Sequence, residues 1–172
     1  DVPYNVGGGD SEHLDKAHIE YYASQLQELF AFLEKQTGRR MDMDRLRETL
    51  ALSNWTSHLW TEIQDLRKTI PCPMDARDAF SAVFFMLCMP GSELAVNFYT
   101  QLRDELRERT KNGVGVIERE KFRLVWDNLP LWYNLKIFDY LNSLGAVVAA
   151  EVFSHTWSGS LDSSKPLESL AR

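Results

Sequence analysis

Soft metal ligands are scarce, with two cysteines and four histidines among 172 residues. Cys72 and Cys88 form no CxxC, and no histidine pair falls at the i, i+4 spacing of a helical zinc site. No metal ligand is therefore assigned within the chain. Two cysteines also make no disulfide framework, so a reducing, cytoplasmic setting is expected. Basic residues are outnumbered, 19 Lys and Arg against 25 Asp and Glu, for a net charge of −6. A nucleic-acid partner calls for the opposite balance and is not expected. Long apolar runs are missing too. The longest, Phe80 to Pro90, is interrupted by Ser81 and falls far short of a membrane span. No basic-then-apolar leader opens the sequence. What remains is an ordinary globular composition, 44% hydrophobic and 26% charged.

The apolar residues that are present recur at helical spacing over the first part of the chain. After the turn-rich Tyr4-Asn5-Val6-Gly7-Gly8-Gly9 segment, Asp10 or Ser11 is placed to cap a long helix. Its stripe is Ile19, Tyr22, Leu26, Leu29 and Leu33, and Gly38 supplies the stop. Asp42 or Asp44 opens a second helix with Leu52, Trp55, Leu59, Ile63 and Leu66 on one face, ending before Pro71-Cys72-Pro73. Asp75 begins a short helix through about Leu87, closed by Pro90-Gly91. Ser92 caps a fourth, with Leu94, Phe98, Leu102 and Leu106 aligned and Asn112-Gly113 as its end.

The pattern changes after Gly115. Phe122 to Trp126 reads as a strand and Leu131 to about Leu144 as a helix, with Leu135, Phe138 and Leu141 inward and Gly145 as its stop. Ala146 to Phe153 reads as a nearly continuous apolar strand, the signature of a strand covered on both faces. Strand, helix, strand makes a parallel βαβ unit with a right-handed crossover. Two strands alone leave edges and faces open, so a further strand is expected. A last helix, with Pro166 in its first turn, begins close to Arg172. The fold class expected is α/β: a helical part, residues 1–115, completing a first α/β domain, and residues 116–172 beginning a second one. The chain reads as a piece of a larger two-domain subunit.

Few residues stand out as chemistry. Gly7-Gly8-Gly9 lacks a Walker lysine and a GxGxxG context, so a flexible strand exit explains it better than phosphate binding. Asn54 and His58, at i, i+4, read as satisfied polar residues. Trp55, Trp60, Phe80, Phe84, Phe85 and Cys88 read as core. The loop after the first strand is different. Ligands of open parallel sheets bind outside the carboxyl ends of the strands. Here that loop carries Trp126, Asp127, Asn128, Trp132, Tyr133 and Asn134. Flat aromatics among hydrogen-bonding groups suit an apolar, partly planar ligand. Packing at an interdomain seam is the competing explanation for Trp126 and Trp132. His155 and Trp157, after the second strand, are secondary candidates.

Arg123-Leu124-Val125-Trp126-Asp127-Asn128-Leu129-Pro130-Leu131-Trp132-Tyr133-Asn134-Leu135 and Leu144-Gly145-Ala146-Val147-Val148 resemble the start of the second domain in the 2-hydroxyacyl-CoA dehydratase / benzoyl-CoA reductase family. Asp1-Val2-Pro3-Tyr4, the helix Tyr21 to Gly38 and Met41-Asp42 resemble the same proteins. Leu59-Trp60 with Ile70-Pro71-Cys72-Pro73-Met74-Asp75 is similar to the benzoyl-CoA reductase side, which is slightly favoured.

The resemblance implies a Rossmann-like, iron-sulfur subunit working with a related second subunit and a separate ATP-hydrolysing activator that supplies low-potential electrons. The substrate implied is an acyl-CoA thioester, reduced by one electron. The implied 4Fe-4S cluster would take its ligands outside this segment, which alone would be inactive. Trp126, Asp127, Asn128, Trp132 and Tyr133 would line the interdomain cleft near the acyl-CoA. The alternative is a non-catalytic helical module that docks a partner through its apolar stripes.

Overall fold

The structure is a computed structural model that describes residues 11–155 and 159–171, with side chains from residue 16 onward. The Gly7-Gly8-Gly9 segment, Asp10 and Trp157 lie outside the described residues. The chain divides into two compact units, one of Asp1–Ala51 with Leu161–Arg172, the other of Leu52–Ser160.

The first unit holds α1 (Ser11–Thr37), the first part of α2 (Met43–Leu66) and α8 (Pro166–Leu170), with α8 against α1. Gly38, at φ 69°, ends α1 by donating its amide to Glu34 O at 2.9 Å. Asp42 caps α2, its Oδ1 accepting the amides of Asp44 and Arg45 at 3.0 and 2.9 Å. Along the α1 stripe, Ile19 and Leu26 are half-buried whereas Tyr22, Leu29 and Leu33 are exposed. Pro166 occupies the first turn of α8, as expected.

The second unit holds the rest of α2, then α3 (Ala76–Ala82), α4 (Phe84–Cys88), α5 (Glu93–Lys111), β1 (Phe122–Trp126), α6 (Lys136–Ser143), β2 (Ala146–Glu151) and α7 (Val152–His155). Asp75 caps α3 and Ser92 caps α5, each accepting an amide of the first turn. Val83 breaks the expected single helix into α3 and α4. One core gathers Leu59, Trp60, Ile63, Met74, Ala79, Ala82, Ala95, Tyr99 and Leu106. Tyr99 donates its hydroxyl to Ala82 O at 2.7 Å, and burial pushes its phenol up from the ordinary value. A second cluster joins Ala76, Phe80, Phe138 and Val148, flanked by Trp126, Leu135, Leu141 and Phe153.

Several faces are turned from where apolar spacing alone puts them. Trp55 and Phe84, expected in the core, are each 52% exposed. Cys88, also expected inside, is exposed. On α5, Leu94 faces outward while Ala95 and Tyr99 are buried. Thr56 is buried on α2 and donates its hydroxyl to Leu52 O, so a polar residue takes the face given to Trp55.

β1 and β2 pair in parallel, with Phe122 opposite Ala146 and Trp126 opposite Glu151, and the register shifts between Leu124 and Val125. The expected βαβ unit is present, and the chain is helix-rich with a short two-stranded parallel sheet, consistent with the α/β class. α6 starts at Lys136, later than Leu131, because residues 131–135 form turns. β2 stops at Glu151, earlier than Phe153, because Val152–His155 coil into α7. β2 is largely buried while β1 is exposed, Val125 by 71%. Gly145, at φ 82°, closes α6, and a Cβ there would press on the Lys121 side chain. Among the described residues no helix is long and apolar enough to cross a membrane.

Candidate functional site

The carboxyl ends of β1 and β2 lie side by side, since Trp126 and Glu151 are register partners. Two chain exits therefore leave one edge together. The exit from β1 is tightly wound. Trp126 Nε1 donates to Leu129 O at 3.2 Å, and the Trp126 ring meets Phe138 edge-on at 5.1 Å. Asp127 Oδ1 accepts the Asn128 amide at 2.8 Å, and Asn128 Oδ1 accepts the Leu129 amide at 2.7 Å. Asn128 takes φ 74°, a left-handed conformation that Asn tolerates because its short amide bonds locally.

These bonds turn the chain so that Trp132 and Tyr133 face outward. Trp132 is 52% exposed, and its ring meets Phe80 at 5.9 Å and Phe153 at 6.1 Å. Tyr133 is 86% exposed. The five residues singled out by the sequence thus run from the end of β1 into one loop, in three roles. Trp126 packs inward, Asp127 and Asn128 each commit an oxygen to backbone amides, and Trp132 and Tyr133 form an aromatic rim. Such a rim offers flat apolar area to a planar ligand. His155 is exposed at the end of α7.

Beneath the second exit lies a polar network that sequence reading missed. Arg67 and Glu151 each have 0% side-chain exposure and meet in a two-point pair, Nη1 to Oε1 at 2.6 Å and Nη2 to Oε2 at 2.7 Å. Arg67 Nε donates to Met74 O at 3.0 Å, and Nη1 also donates to Gln64 Oε1 at 2.7 Å. Glu151 Oε1 further accepts the Ser154 hydroxyl at 2.8 Å, and Trp60 Nε1 donates to Ser154 O at 2.9 Å. The charges are paired and their remaining valences used, as burial demands. A signal for the network does exist in the sequence. Leu59, Ile63 and Arg67 continue one i, i+4 face, and Glu151 ends an otherwise apolar strand.

Cys72 sits beyond the same end of α2, and its thiol shares the Met74 carbonyl with Arg67. Its amide donates to Glu120 Oε1, and its thiol donates to Met74 O at 3.1 Å. Burial pushes the thiol up from its ordinary value, outweighing that hydrogen bond and the nearby Arg67 and Arg123 charges. Arg123, from β1, closes the same corner by donating to Glu120 Oε2 and to the Arg67 and Thr69 carbonyls. Gly115 is required here, because a Cβ would run into Pro71. A buried, protonated thiol is a poor cluster ligand. Among the described residues no three His, Cys, Asp or Glu side chains gather as a metal site. The described residues do not by themselves fit an iron-sulfur cluster.

The family model described as 2-hydroxyglutaryl-CoA dehydratase, D-component, matches residues 1–172. The alpha subunit of (R)-2-hydroxyglutaryl-CoA dehydratase from Acidaminococcus fermentans is 26% identical over 90% of this chain and 32% of its own length. The (R)-phenyllactyl-CoA dehydratase alpha subunit of Clostridium sporogenes is 26% identical over 89% of this chain and 38% of its own. A benzoyl-CoA reductase subunit of Thauera aromatica is 31% identical over 99% of this chain and 42% of its own. The chain thus spans between about a third and two-fifths of the length of these curated relatives. It belongs to the 2-hydroxyglutaryl-CoA dehydratase D-component family, with dehydratase alpha subunits and a benzoyl-CoA reductase subunit among its relatives.

Proposed function

We propose that this chain is part of a subunit of an acyl-CoA enzyme of the benzoyl-CoA reductase / 2-hydroxyacyl-CoA dehydratase type, acting on an acyl-CoA thioester in the cytoplasm. The observation that carries the reading is the family match over residues 1–172, joined to an aromatic rim at the carboxyl ends of a parallel strand pair. The Leu59-Trp60 and Ile70 to Asp75 pattern supports a reductase slightly over a dehydratase. Residues 116–172 would begin a Rossmann-like domain and residues 1–115 complete the one before it. Trp132 and Tyr133 would hold the thioester end of the substrate and shed water from it, while Trp126, Asp127 and Asn128 fix the loop that presents them. A related second subunit and an ATP-hydrolysing activator complete the proposal. The 4Fe-4S cluster would be held by residues outside this segment, and no step is assigned to it.

Anaerobic purification of the native full-length complex, with iron and sulfide analysis and an EPR spectrum, tests this directly. A reducible cluster and turnover of benzoyl-CoA or a 2-hydroxyacyl-CoA are the expected results. An iron-free protein inert toward both thioesters would overturn the reading. The exposed Tyr22, Leu29, Phe32 and Leu33 on α1 favour the second reading, a helical module that docks a partner, and it would then lead.

A further inference from the structure

The aromatic rim is not self-supporting. Trp132 leans on Phe153, at 6.1 Å, and on Phe80, at 5.9 Å. Phe80 lies inside the second core cluster, but Phe153 stands on α7, a single turn just past β2. One turn has no stability of its own. What holds it is the residue on either side of Val152 and Phe153. Glu151, before them, is gripped at both oxygens by Arg67. Ser154, after them, is held three ways: its hydroxyl donates to Glu151 Oε1, its Oγ accepts from Gln64 Nε2 at 3.4 Å, and its carbonyl accepts from Trp60 Nε1. Trp60, Gln64 and Arg67 all come from the α2 helix and the turn that ends it, so one element clamps the exit from β2 from inside.

The geometry assigns Arg67 and Glu151 a positioning role: the buried pair, working through Ser154, sets where Phe153 stands and so where Trp132 is held at the rim. Neither side chain reaches the rim surface, since both are fully buried. Their influence passes through the hydrogen bonds to Ser154 and then through the packing of Phe153 on Trp132. The inference rests on the proposed function only for what the rim binds. The positioning itself is a statement about two exits from one sheet edge, and it can be read without any substrate.

Hydrogen–deuterium exchange of the full-length protein, followed by mass spectrometry on peptides covering 127–135, gives that reading. The amides there are bonded locally, Trp132 N to Pro130 O at 2.9 Å and Asn134 N to Leu131 O at 2.8 Å, so loss of the rim's support exposes them. Arg67→Met alone strands a buried carboxylate and risks the whole fold, so the informative variant is Arg67→Met with Glu151→Leu, which removes both charges together. Ser154→Ala is the milder companion. In both, exchange at 127–135 is expected to rise by about threefold or more while peptides of α5 keep their parent rate. Unchanged exchange at 127–135 would overturn the assignment. So would a rise matched by α5, which is global loosening. Failure of the acyl-CoA reading leaves this experiment untouched, whereas its own failure leaves the acyl-CoA reading standing.

Discussion

Arg67 carries a full charge with none of its side chain in water. Its partner Glu151 is separated from it by 84 positions, and no spacing rule reaches that far. Each residue is an oddity in the sequence, an arginine on an apolar helix face and a glutamate ending an apolar strand, but the pairing belongs to tertiary structure. Arg67→Met is expected to cost about 3–5 kcal/mol in urea unfolding of the full-length protein, because it leaves the Glu151 carboxylate buried and unpaired. The paired replacement with Glu151→Leu should recover most of that. Cys72 yields a second prediction at this scale. Its folded thiol keeps its proton to higher pH than the same thiol in the unfolded chain. The folded state therefore binds more protons once pH passes the ordinary thiol range. Stability present below that range is lost as pH rises through it. Melting temperatures of the parent should fall between about pH 8 and 10, and Cys72→Ala should flatten that slope. Under native conditions the exposed Cys88 should alkylate first and Cys72 far more slowly. Equal rates would show that the Pro-Cys-Pro corner opens readily.

Element ends are legible in the sequence because they are decided locally. Gly38, Asp75, Ser92, Gly113 and Gly145 all act where the sequence puts them. Element faces are less so. The rotation of a helix is chosen by what it packs against, and α5 buries Ala95 and Tyr99 in preference to Leu94, with Tyr99 bonded to Ala82 O inside the first core. The end of β2 is hard to read for a related reason. Val152 and Phe153 have strand composition, but Ser154 bonds back to Glu151 and coils the chain. The caps can be ranked. Ser92 Oγ accepts the Ala95 amide at 3.2 Å and donates to Met89 O at 2.8 Å within one turn, so Ser92→Ala should cost about 1 kcal/mol. Asp75 caps α3 and also accepts Asn142 Nδ2 at 2.6 Å, tying α3 to α6. Asp75→Ala should cost about twice as much, because Asp75 is buried and its loss also cuts the tie to Asn142, and Asn142→Ala should reproduce only that second part. Thermal melts of the three variants check the order, and a Ser92→Ala effect exceeding that of Asp75→Ala would contradict it.

At the scale of the molecule the aromatic loop separates two kinds of residue that composition alone groups together. Composition locates the loop correctly at a strand's carboxyl end, yet it does not tell which ring faces inward, because that depends on the left-handed turn at Asn128 and on the Phe153 support. Phe80 is 1% exposed and touches Trp132, Phe138 and Phe153, so it binds the loop to the core. Phe80→Ala should cost about 3–5 kcal/mol, and any loss of activity should follow the loss of folded protein. Trp132 is half in water, so truncating it removes less buried area and should lower Tm by only a few degrees. If the rim holds the thioester, Trp132→Ala in the full-length complex should lower kcat/KM by about tenfold or more. The contrast between the two variants is the informative quantity. A rim that binds substrate gives a stable, slow enzyme with Trp132→Ala and an unstable one with Phe80→Ala. A rim that only packs against a neighbouring surface makes the two variants lose stability and turnover in the same proportion, and the binding role of Trp132 would then be abandoned.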